Sequence, residues 1–443
     1  MGFLYQIREF GIISEGKESR PFSSNELEIE KSSFDDLLCF IEANEQDSEI
    51  DKAFSIFRKK GKRFIRVKNY VGVIETRSGL VIEILPKTYL GNKESDANES
   101  RAILLKLLKA LKNSPFISLG TAHLKDTEEM PLLEVFIASY LEELSLLISK
   151  GLKGGYVAHE GDVNFLKGKL LLKQTLKRNQ TNMARFYCEF DEFNLDIAPN
   201  RLIKATLVLL LKTTKSNVIK KKVLKALQYF EVAKASIDID RDLLYCDSNK
   251  KILINYGNLI SWSEIFLLNK SFTSFHGNSV NQAILFPMEK LFESYIASLL
   301  RKYCKDIKVR TQDKRFSLLG QKKHSEDQNY SSRKFNLKPD IVINDNQIIL
   351  DTKWKILNED SSKHGIKESD IYQMHAYGSS YKEDSNGVSP RLGLIYPKCD
   401  TFKDRLLQMR YGKEVLLDVV PFDFSNKNPG EEIRSLIKHF LNQ

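Results

Sequence analysis

The sequence predicts a multidomain α/β (α+β) protein with a β-containing N-terminal region, a largely helical middle region and an α/β C-terminal domain. The chain has 443 residues, which is enough for two or three domains. Apolar runs bounded by turn residues predict strands near both ends, whereas apolar residues at helical spacing are typical of the middle. These observations place the predicted domains at residues 1–125, 126–280 and 281–443.

The N-terminal region contains two adjacent strand patterns. Residues 64–74 and 80–85 are rich in β-branched and aromatic side chains, and the turn residues 77–79 separate them. We therefore expect a β-hairpin or meander here. Residues 102–112 follow with apolar side chains at helical spacing and predict a helix.

Helices and positive charge dominate the middle region. Residues 131–150 predict a helix, with Pro131 at its start and Gly151 at its end. Apolar residues surround the predicted helix 202–211 on nearly every side, so we expect it to be buried. The basic residues nearby are Arg201, Lys204, Lys212, Lys215, Lys220, Lys221, Lys222 and Lys225. They form either a solvated helix face or a surface that faces phosphate groups.

The C-terminal region alternates helices with strands. The spacing predicts helices at 286–303, 368–379 and 431–441, and strands at 391–396 and 415–420. Residues 311–335 are polar, and we expect a flexible insertion there. The order of these elements predicts an α/β layer with a site at its edge.

A β-hairpin in this region is the strongest functional signal. Two apolar runs, 341–343 and 348–350, flank an Asn-Asp-Asn segment that is typical of a turn. A two-residue turn places Asp340 opposite Asp351 on one face, roughly 5 Å apart. Lys353 lies two residues beyond Asp351, so it shares that face. The open end of the hairpin therefore collects two carboxylates and an amine.

This combination suggests a cation site beside a charged substrate or a water. Adjacent carboxylates repel each other unless a cation lies between them, and hard oxygen ligands suit Mg²⁺. An amine beside them can hold a charged substrate or a nucleophilic water. The alternative is a solvated hairpin mouth. Both runs are apolar at consecutive residues, which favours a hairpin covered on both faces, with its charged end lining a cleft.

Composition and charge narrow the function classes. The net charge of +10 suits a polyanionic partner. The chain has no apolar run long enough to span a membrane, and no P-loop motif. The cysteines are scattered, without metal-ligand spacing, at Cys39, Cys188, Cys246, Cys304 and Cys399. This pattern predicts neither a zinc site nor a disulfide framework, and it fits a reducing cytoplasm.

The hairpin and several other segments resemble known proteins. Pro339-Asp340 with Asp351-Thr352-Lys353 resembles the PD-(D/E)xK nuclease signature. The whole chain resembles the McrC family, the nuclease partner of McrB in 5-methylcytosine-directed restriction. The segments are VKNYVGVI (67–74), IEILPK (82–87), LKGKL (166–170), CEFDEF (188–193), NR (200–201), MEKLFE (288–293), KPDIV (338–342), LDTKWK (350–355) and DIYQMHAY (370–377). Their order and approximate spacing both agree with the family.

The resemblance implies a C-terminal PD-(D/E)xK restriction-endonuclease-like domain with a Mg²⁺ cofactor. It implies that Asp340 and Asp351 bind the metal, and that Lys353 positions or activates the attacking water. Glu293, on the helix before the hairpin, would complete the metal shell. The alternative for Glu293 is a surface acid on an amphipathic helix.

The resemblance also implies supporting residues around the catalytic group. Gln373 and Tyr377 match the superfamily's Gln-x-x-x-Tyr element, which would contact DNA or brace the site. For Tyr377 the alternative is core packing. Lys338 and Lys355, which flank the catalytic residues, are further candidates for DNA binding.

Finally, the resemblance implies partners and a biological role. It implies DNA as substrate and a hetero-oligomer with an McrB-like AAA+ GTPase ring, which the N-terminal domain engages and stimulates. The expected role is cytoplasmic defence against foreign, modified DNA. Two alternatives stay open: a subunit that chiefly regulates the NTPase partner, and a stand-alone RecB-like repair nuclease that acts on DNA ends.

Overall fold

The chain folds into two compact units of mixed α and β structure. The computed structural model describes residues 4–16, 22–23, 25–43, 48–90, 93–94, 96–111, 114–118, 130–179, 184–251, 253–268, 280–321, 332–358, 360–384, 388–411 and 415–441. The middle unit is built mainly by residues 130–268, and the terminal unit combines residues 4–117 with residues 280–441. The predicted N-terminal and C-terminal regions thus contribute to the same unit.

The elements are as follows. The N-terminal part of the terminal unit contains β1 (Leu4–Arg8), β2 (Ile12–Glu15), β3 (Phe22–Ser23), β4 (Glu26–Ile29), α1 (Lys31–Ala43), α2 (Ser48–Ala53), β5 (Phe54–Lys59), β6 (Lys62–Val67), β7 (Tyr70–Thr76), β8 (Val81–Leu85), β9 (Tyr89–Leu90), β10 (Lys93–Glu94) and α3 (Ala97–Lys109). The middle unit contains α4 (Leu132–Lys150), β11 (Gly155–Val163), β12 (Lys169–Leu170), α5 (Leu172–Arg178), β13 (Phe186–Asn194), α6 (Ala198–Thr213), α7 (Asn217–Tyr229), α8 (Ile239–Ser248) and α9 (Gly257–Leu268). The C-terminal part of the terminal unit contains β14 (Val280–Pro287), α10 (Met288–Tyr303), β15 (Val309–Thr311), β16 (Ser317–Gln321), β17 (Ser332–Asn336), β18 (Ile341–Ile343), β19 (Ile348–Thr352), α11 (Glu368–Asp384), β20 (Arg391–Pro397), β21 (Leu406–Tyr411), β22 (Val415–Phe422) and α12 (Pro429–Leu441).

A five-stranded sheet joins the two ends of the chain. Its order is β14-β7-β8-β1-β3, and β7 pairs antiparallel with β8, which confirms the predicted N-terminal hairpin. On its other side β7 pairs with β14, from the C-terminal part. Gly72 in β7 has φ of +140°, and a Cβ atom there would lie 2.0 Å from the carbonyl oxygen of Ile284. Only glycine therefore permits this close approach of β7 and β14.

The prediction of one strand over 64–74 is wrong. The structure has β6 in a four-stranded sheet of order β4-β2-β6-β5, and β7 in the five-stranded sheet. At the break, the Lys68 N–H donates to the carbonyl of Ala53 at 2.7 Å, whereas the Asn69 carbonyl accepts the Met288 N–H at 3.2 Å. Both stretches carry β-favouring side chains, but β6 is only partly buried, β7 is fully buried, and their backbones pair with different neighbours.

A six-stranded sheet of order β15-β18-β19-β20-β22-β21 carries the predicted hairpin. β18 and β19 pair antiparallel, with Ile343 opposite Ile348 and Ile341 opposite Leu350, as the two-residue turn predicts. Every residue of both strands is buried. Helices α10 and α11 both contact β19. The predicted strands 391–396 and 415–420 are β20 and β22, which lie in the same sheet.

Element boundaries in this part differ from the predictions by a few residues. The helix predicted from residue 286 begins at Met288, because Phe286 and Pro287 still pair with β7. The expectation of a flexible insertion over 311–335 is wrong for part of this stretch. β16 and β17 pair as an antiparallel ribbon, and residues 322–331 lie outside the described residues.

The middle unit packs helices beside a three-stranded sheet of order β11-β13-β12. Its eight predicted basic residues differ in their surroundings, and Lys220 among them is half-buried. Arg201 binds Asp242 at 2.7 Å, and the Lys204 amine donates to the carbonyl of Ala233, so both act within the fold. The exposed lysines are Lys212, Lys215, Lys221, Lys222 and Lys225. Both readings, a solvated face or a phosphate-facing surface, stay open for them. In the part of the chain that the structure describes, no helix is both long and apolar enough to cross a membrane.

Candidate active site

The β18–β19 register brings Asp340 and Asp351 together. Asp340 directly precedes β18, and continuation of the pairing from Ile341 and Leu350 places it opposite Asp351. The N–H and the hydroxyl of Thr352 both donate to Oδ2 of Asp340, each at 2.8 Å. Asp351 is only 1% exposed. The strands and these two hydrogen bonds therefore hold both carboxylates at the open end of the hairpin, as predicted.

Lys353 lies beside this pair. Its Nζ atom is 2.5 Å from Oδ2 of Asp351 and 2.9 Å from Oε1 of Gln373, and a further carboxylate, Asp370, lies at 4.0 Å. Burial alone would lower the pKa of Lys353, but the negative charges, chiefly that of Asp351, outweigh burial and raise it. The amine therefore stays protonated at neutral pH. It can orient a water or neutralise phosphate charge, but it is not a base in this state.

Glu293 approaches the carboxylate pair from α10. Nε2 of Gln312 donates to Oε1 of Glu293 at 2.8 Å and lies 3.4 Å from Oδ1 of Asp340. Gln312 has a left-handed backbone with φ of 52°, and its N–H donates to the Asp340 carbonyl at 3.1 Å. Such conformations in non-glycine residues are strained and concentrate at functional sites. Gln312 thus connects the helix carboxylate with the hairpin carboxylates.

The three carboxylates perturb one another. Burial and the charges of Asp351 and Glu293 raise the pKa of Asp340 well above its usual value. Burial also raises the pKa of Asp351 and of Glu293, and the charge of Asp351 adds to the effect on Glu293. A bound cation would relieve this repulsion. Among the described residues, no set of three or more Asp, Glu, His or Cys side chains forms a preformed metal cage.

Gln373 and Tyr377 form a chain of hydrogen bonds that begins at Lys353. Gln373 accepts from the lysine through Oε1 and donates through Nε2 to the Tyr377 hydroxyl at 2.7 Å. Tyr377 is only 2% exposed and belongs to the core of the C-terminal part. The resemblance implies that these residues either contact DNA or brace the site, and this buried position suits bracing.

The two flanking lysines occupy different environments. Lys338 is exposed, because strand pairing ends at Ile341 and does not hold it opposite Lys353. Lys355 donates to the carbonyl of Gly365 at 2.5 Å and so fastens the loop that follows. Of these two DNA-binding candidates, Lys338 is the one whose side chain faces solvent.

Three residues near the site were not predicted. Thr352 lies inside the stretch that resembles the PD-(D/E)xK signature, and Asp370 begins the DIYQMHAY segment, so the resemblance already contains both. Asp370 also accepts from the Tyr396 hydroxyl at 3.2 Å. Gln312 has no sequence signal, because it lies in the polar stretch 311–335, whose composition predicts an insertion.

Comparison with known proteins found a matching family model and similar solved structures. The model of one protein family, described as McrBC 5-methylcytosine restriction system component, matches residues 65–397. A chain of the refined half-complex from the tetradecameric assembly of Thermococcus gammatolerans McrB AAA+ hexamers with bound McrC is similar in structure. Its TM-score is 0.68 at 15% identity, and the alignment covers 98% of this chain and 99% of that one. A chain of the cryo-EM structure of the T. gammatolerans McrBC complex has a TM-score of 0.48 at 17% identity, with 68% and 88% covered. No curated protein matched the sequence.

Proposed function

Because this chain belongs to the McrBC family of 5-methylcytosine restriction system components, we propose that it is the DNA endonuclease subunit of an McrBC-like restriction system. Its C-terminal part would be a PD-(D/E)xK nuclease domain that cleaves phosphodiester bonds with Mg²⁺. It would do so after assembly with an McrB-like AAA+ GTPase ring. The role would be cytoplasmic defence against foreign DNA, with modified DNA as the target.

The observation that carries this proposal is the convergence of Asp340, Asp351 and Lys353 at one end of a buried hairpin. Hydrolysis of a phosphodiester needs positive charge at the scissile phosphate and an oriented water. The protonated Lys353 supplies charge and hydrogen-bond donors, and Gln373 fixes its direction. Asp351 is the acceptor nearest to the Lys353 amine. It can hold a water in line with the scissile phosphodiester bond. Asp351 lies in β19, and Asp340 and Lys353 lie directly next to the ends of the paired strands, which suits a reaction that depends on positioning.

The donor set suits Mg²⁺. This ion is usually held by one or two carboxylates together with waters and substrate phosphate, so a closed protein cage is not required. Asp340 and Asp351 would be its principal ligands, and Glu293 would contribute from α10. When bound, the ion would neutralise charge on the scissile phosphate and relieve the repulsion among the three carboxylates.

The partner proposal rests on family membership and on the similar fold of a chain from an assembly of McrB hexamers with bound McrC. The N-terminal domain, residues 1–125, stays the proposed contact region. Deletion of these residues would not test it cleanly, because β7 pairs with β14 and both belong to the terminal unit. Surface substitutions are the better tool.

The middle unit offers a second candidate surface for the partner. Its three-stranded sheet, the connection between β11 and β12, and α5 expose large apolar side chains, which in soluble proteins often mark interaction sites. They are Tyr156, Phe165, Leu166, Leu172, Leu176 and Phe193. If this surface binds the ring, Leu172→Ser with Leu176→Ser should reduce stimulation of the partner's GTPase. If stimulation is unchanged, the N-terminal proposal is favoured.

Plasmid cleavage tests the proposed function. The purified chain is incubated with Mg²⁺, with and without the McrB-like partner and GTP, on methylated and unmethylated DNA. Asp351→Asn serves as the inactive variant, and the partner's GTPase rate shows whether the complex still assembles. We expect cleavage only with the partner, lost in Asp351→Asn while stimulation persists. Cleavage of linear DNA without partner or nucleotide would instead indicate a RecB-like nuclease. Stimulation without any cleavage would indicate a purely regulatory subunit.

A further inference from the structure

A buried glutamate at the end of β1 reaches the C-terminal part of the terminal unit. Glu9 is 2% exposed, and its N–H donates to the carbonyl of Leu85 at the end of β8. Its Oε1 atom accepts two hydrogen bonds, one from the Lys87 N–H and one from the indole Nε1–H of Trp354, both at 2.8 Å. One carboxyl oxygen therefore connects the N-terminal strands to Trp354 in the C-terminal part.

Trp354 lies between two residues of the candidate active site, Lys353 and Glu293, through its chain neighbour and its ring contacts. It directly follows Lys353, and its ring packs edge-on against Phe292 with centroids 5.4 Å apart. Phe292 in turn directly precedes Glu293 on α10. Phe424 closes the group, 6.0 Å from the Trp354 ring and 5.9 Å from the Phe292 ring. The orientation of one indole thus affects both the strand end that carries Lys353 and the helix that carries Glu293.

The same N-terminal sheet holds α10 by a second route. β14 pairs with β7 along its length and continues without a break into α10. The Asn69 side chain donates to Oε1 of Glu289 in the first turn of that helix at 3.2 Å. The N-terminal strands are therefore linked to the surroundings of the candidate active site at two places, to α10 through β14 and to Trp354 through Glu9.

We propose that Glu9 is a positioning residue for the nuclease reaction, which acts through Trp354 on the placement of Lys353 and Glu293. The inference rests on the proposed endonuclease function. A buried indole N–H requires an acceptor. Without the Glu9 carboxyl, the Trp354 and Lys87 N–H groups would lose their partner, and the indole would turn to find another. The N-terminal sheet would then support the candidate active site from outside it, as well as being a candidate partner-binding region.

The chain provides matched variants to test this. Glu9→Leu removes the acceptor at similar volume, whereas Glu9→Gln keeps an oxygen in the same place. Trp354→Phe removes the donor and keeps an aromatic ring. The chain contains two tryptophans, so Trp262→Phe is the matched ring substitution in the middle unit, and Asp351→Asn is the inactive reference.

In the cleavage assay with the full complex, we expect Glu9→Leu and Trp354→Phe to lower kcat by roughly 10- to 100-fold, the usual cost of losing a group that orients catalytic residues. KM for DNA and stimulation of the partner's GTPase should stay unchanged. Glu9→Gln and Trp262→Phe should cleave like wild type. Wild-type kcat in both Glu9→Leu and Trp354→Phe would overturn the inference, and so would equal damage in Glu9→Gln and Glu9→Leu. If Glu9→Leu does not fold, Trp354→Phe decides.

A second readout does not depend on cleavage. In a Trp262→Phe background, Trp354 is the only source of indole fluorescence. Its emission should change in Glu9→Leu and stay the same in Glu9→Gln, because only the former removes the acceptor. Unchanged emission in Glu9→Leu would also overturn the inference. Wild-type cleavage by Asp351→Asn would instead refute the proposed function, so the two failures are distinguishable.

Discussion

Glu9→Gln should change how stability depends on pH. Burial raises the pKa of Glu9 from 4.5 to about 8, although its hydrogen bonds with Lys87 and Trp354 and the charge of Lys87 act in the opposite direction. Its second oxygen, Oε2, is buried without a hydrogen-bond partner among the described residues. The folded protein therefore keeps this carboxyl protonated at neutral pH, and glutamine is a close mimic of that neutral form.

The magnitude follows from proton linkage. Between pH 4.5 and about 8 the folded protein keeps a proton that the unfolded chain has lost, so the free energy of unfolding falls as pH rises. The slope is about 1.4 kcal/mol for each pH unit until the folded-state carboxyl itself begins to ionise. From pH 6 to pH 8, wild type should lose about 2 kcal/mol relative to Glu9→Gln, which has no proton to lose at this position.

Denaturant unfolding measures this difference. Both proteins carry Trp262→Phe, so that Trp354 fluorescence reports on the terminal unit alone, and unfolding is followed at pH 6, 7 and 8. Glu15→Gln, at an exposed position on β2, controls for the change in net charge. A stability difference between wild type and Glu9→Gln that stays constant over this range would refute the reasoning from burial.

Three further predictions concern the candidate active site. Mg²⁺ at about 100 times its dissociation constant should stabilise wild type by about 2.7 kcal/mol and leave Asp340→Asn unchanged in thermal unfolding; equal stabilisation of both would remove Asp340 from the ligand set. Lys353→Gln should lower the cleavage rate by roughly 10²- to 10³-fold without loss of GTPase stimulation, and a near-normal rate would contradict its role. Gln312→Gly should raise the Mg²⁺ concentration for half-maximal cleavage by roughly 10- to 100-fold, because Glu293 loses its hydrogen-bond donor. Phe335→Gly, at an exposed left-handed position with φ of 57°, is the matched control, and an equal effect there would indicate backbone flexibility instead.

The core of the candidate site could be predicted from the sequence because its geometry is local. Asp340, Asp351 and Lys353 lie on one hairpin, where alternation along strands and a two-residue turn determine which side chains share a face. The structure has the same pairing, with Ile341 opposite Leu350. Glu293, on a separate helix, came only from the family resemblance, since helical spacing does not say what a helix packs against.

Two predictions were wrong because the structure of these segments depends on contacts with distant parts of the chain. Residues 64–74 are rich in β-favouring side chains along their length, yet they belong to β6 and β7, which lie in different sheets. The polar composition of 311–335 suggested an insertion, although Gln312 lies at the carboxylate cluster. In both cases pairing with distant segments decided the outcome, and periodicity records only whether a residue is buried.

The sequence by itself determined the hairpin, its register and the chemistry of its open end, because these depend on residues a few positions apart. Only the tertiary structure decided that Glu9, at the end of β1, contacts Trp354 beside the candidate active site. The Glu9–Trp354 hydrogen bond spans 345 positions, and a buried carboxyl carries no sequence signal for its distant donor. The pairing of β7 with β14 likewise depends on hydrogen bonds between backbones, which every residue except proline can form.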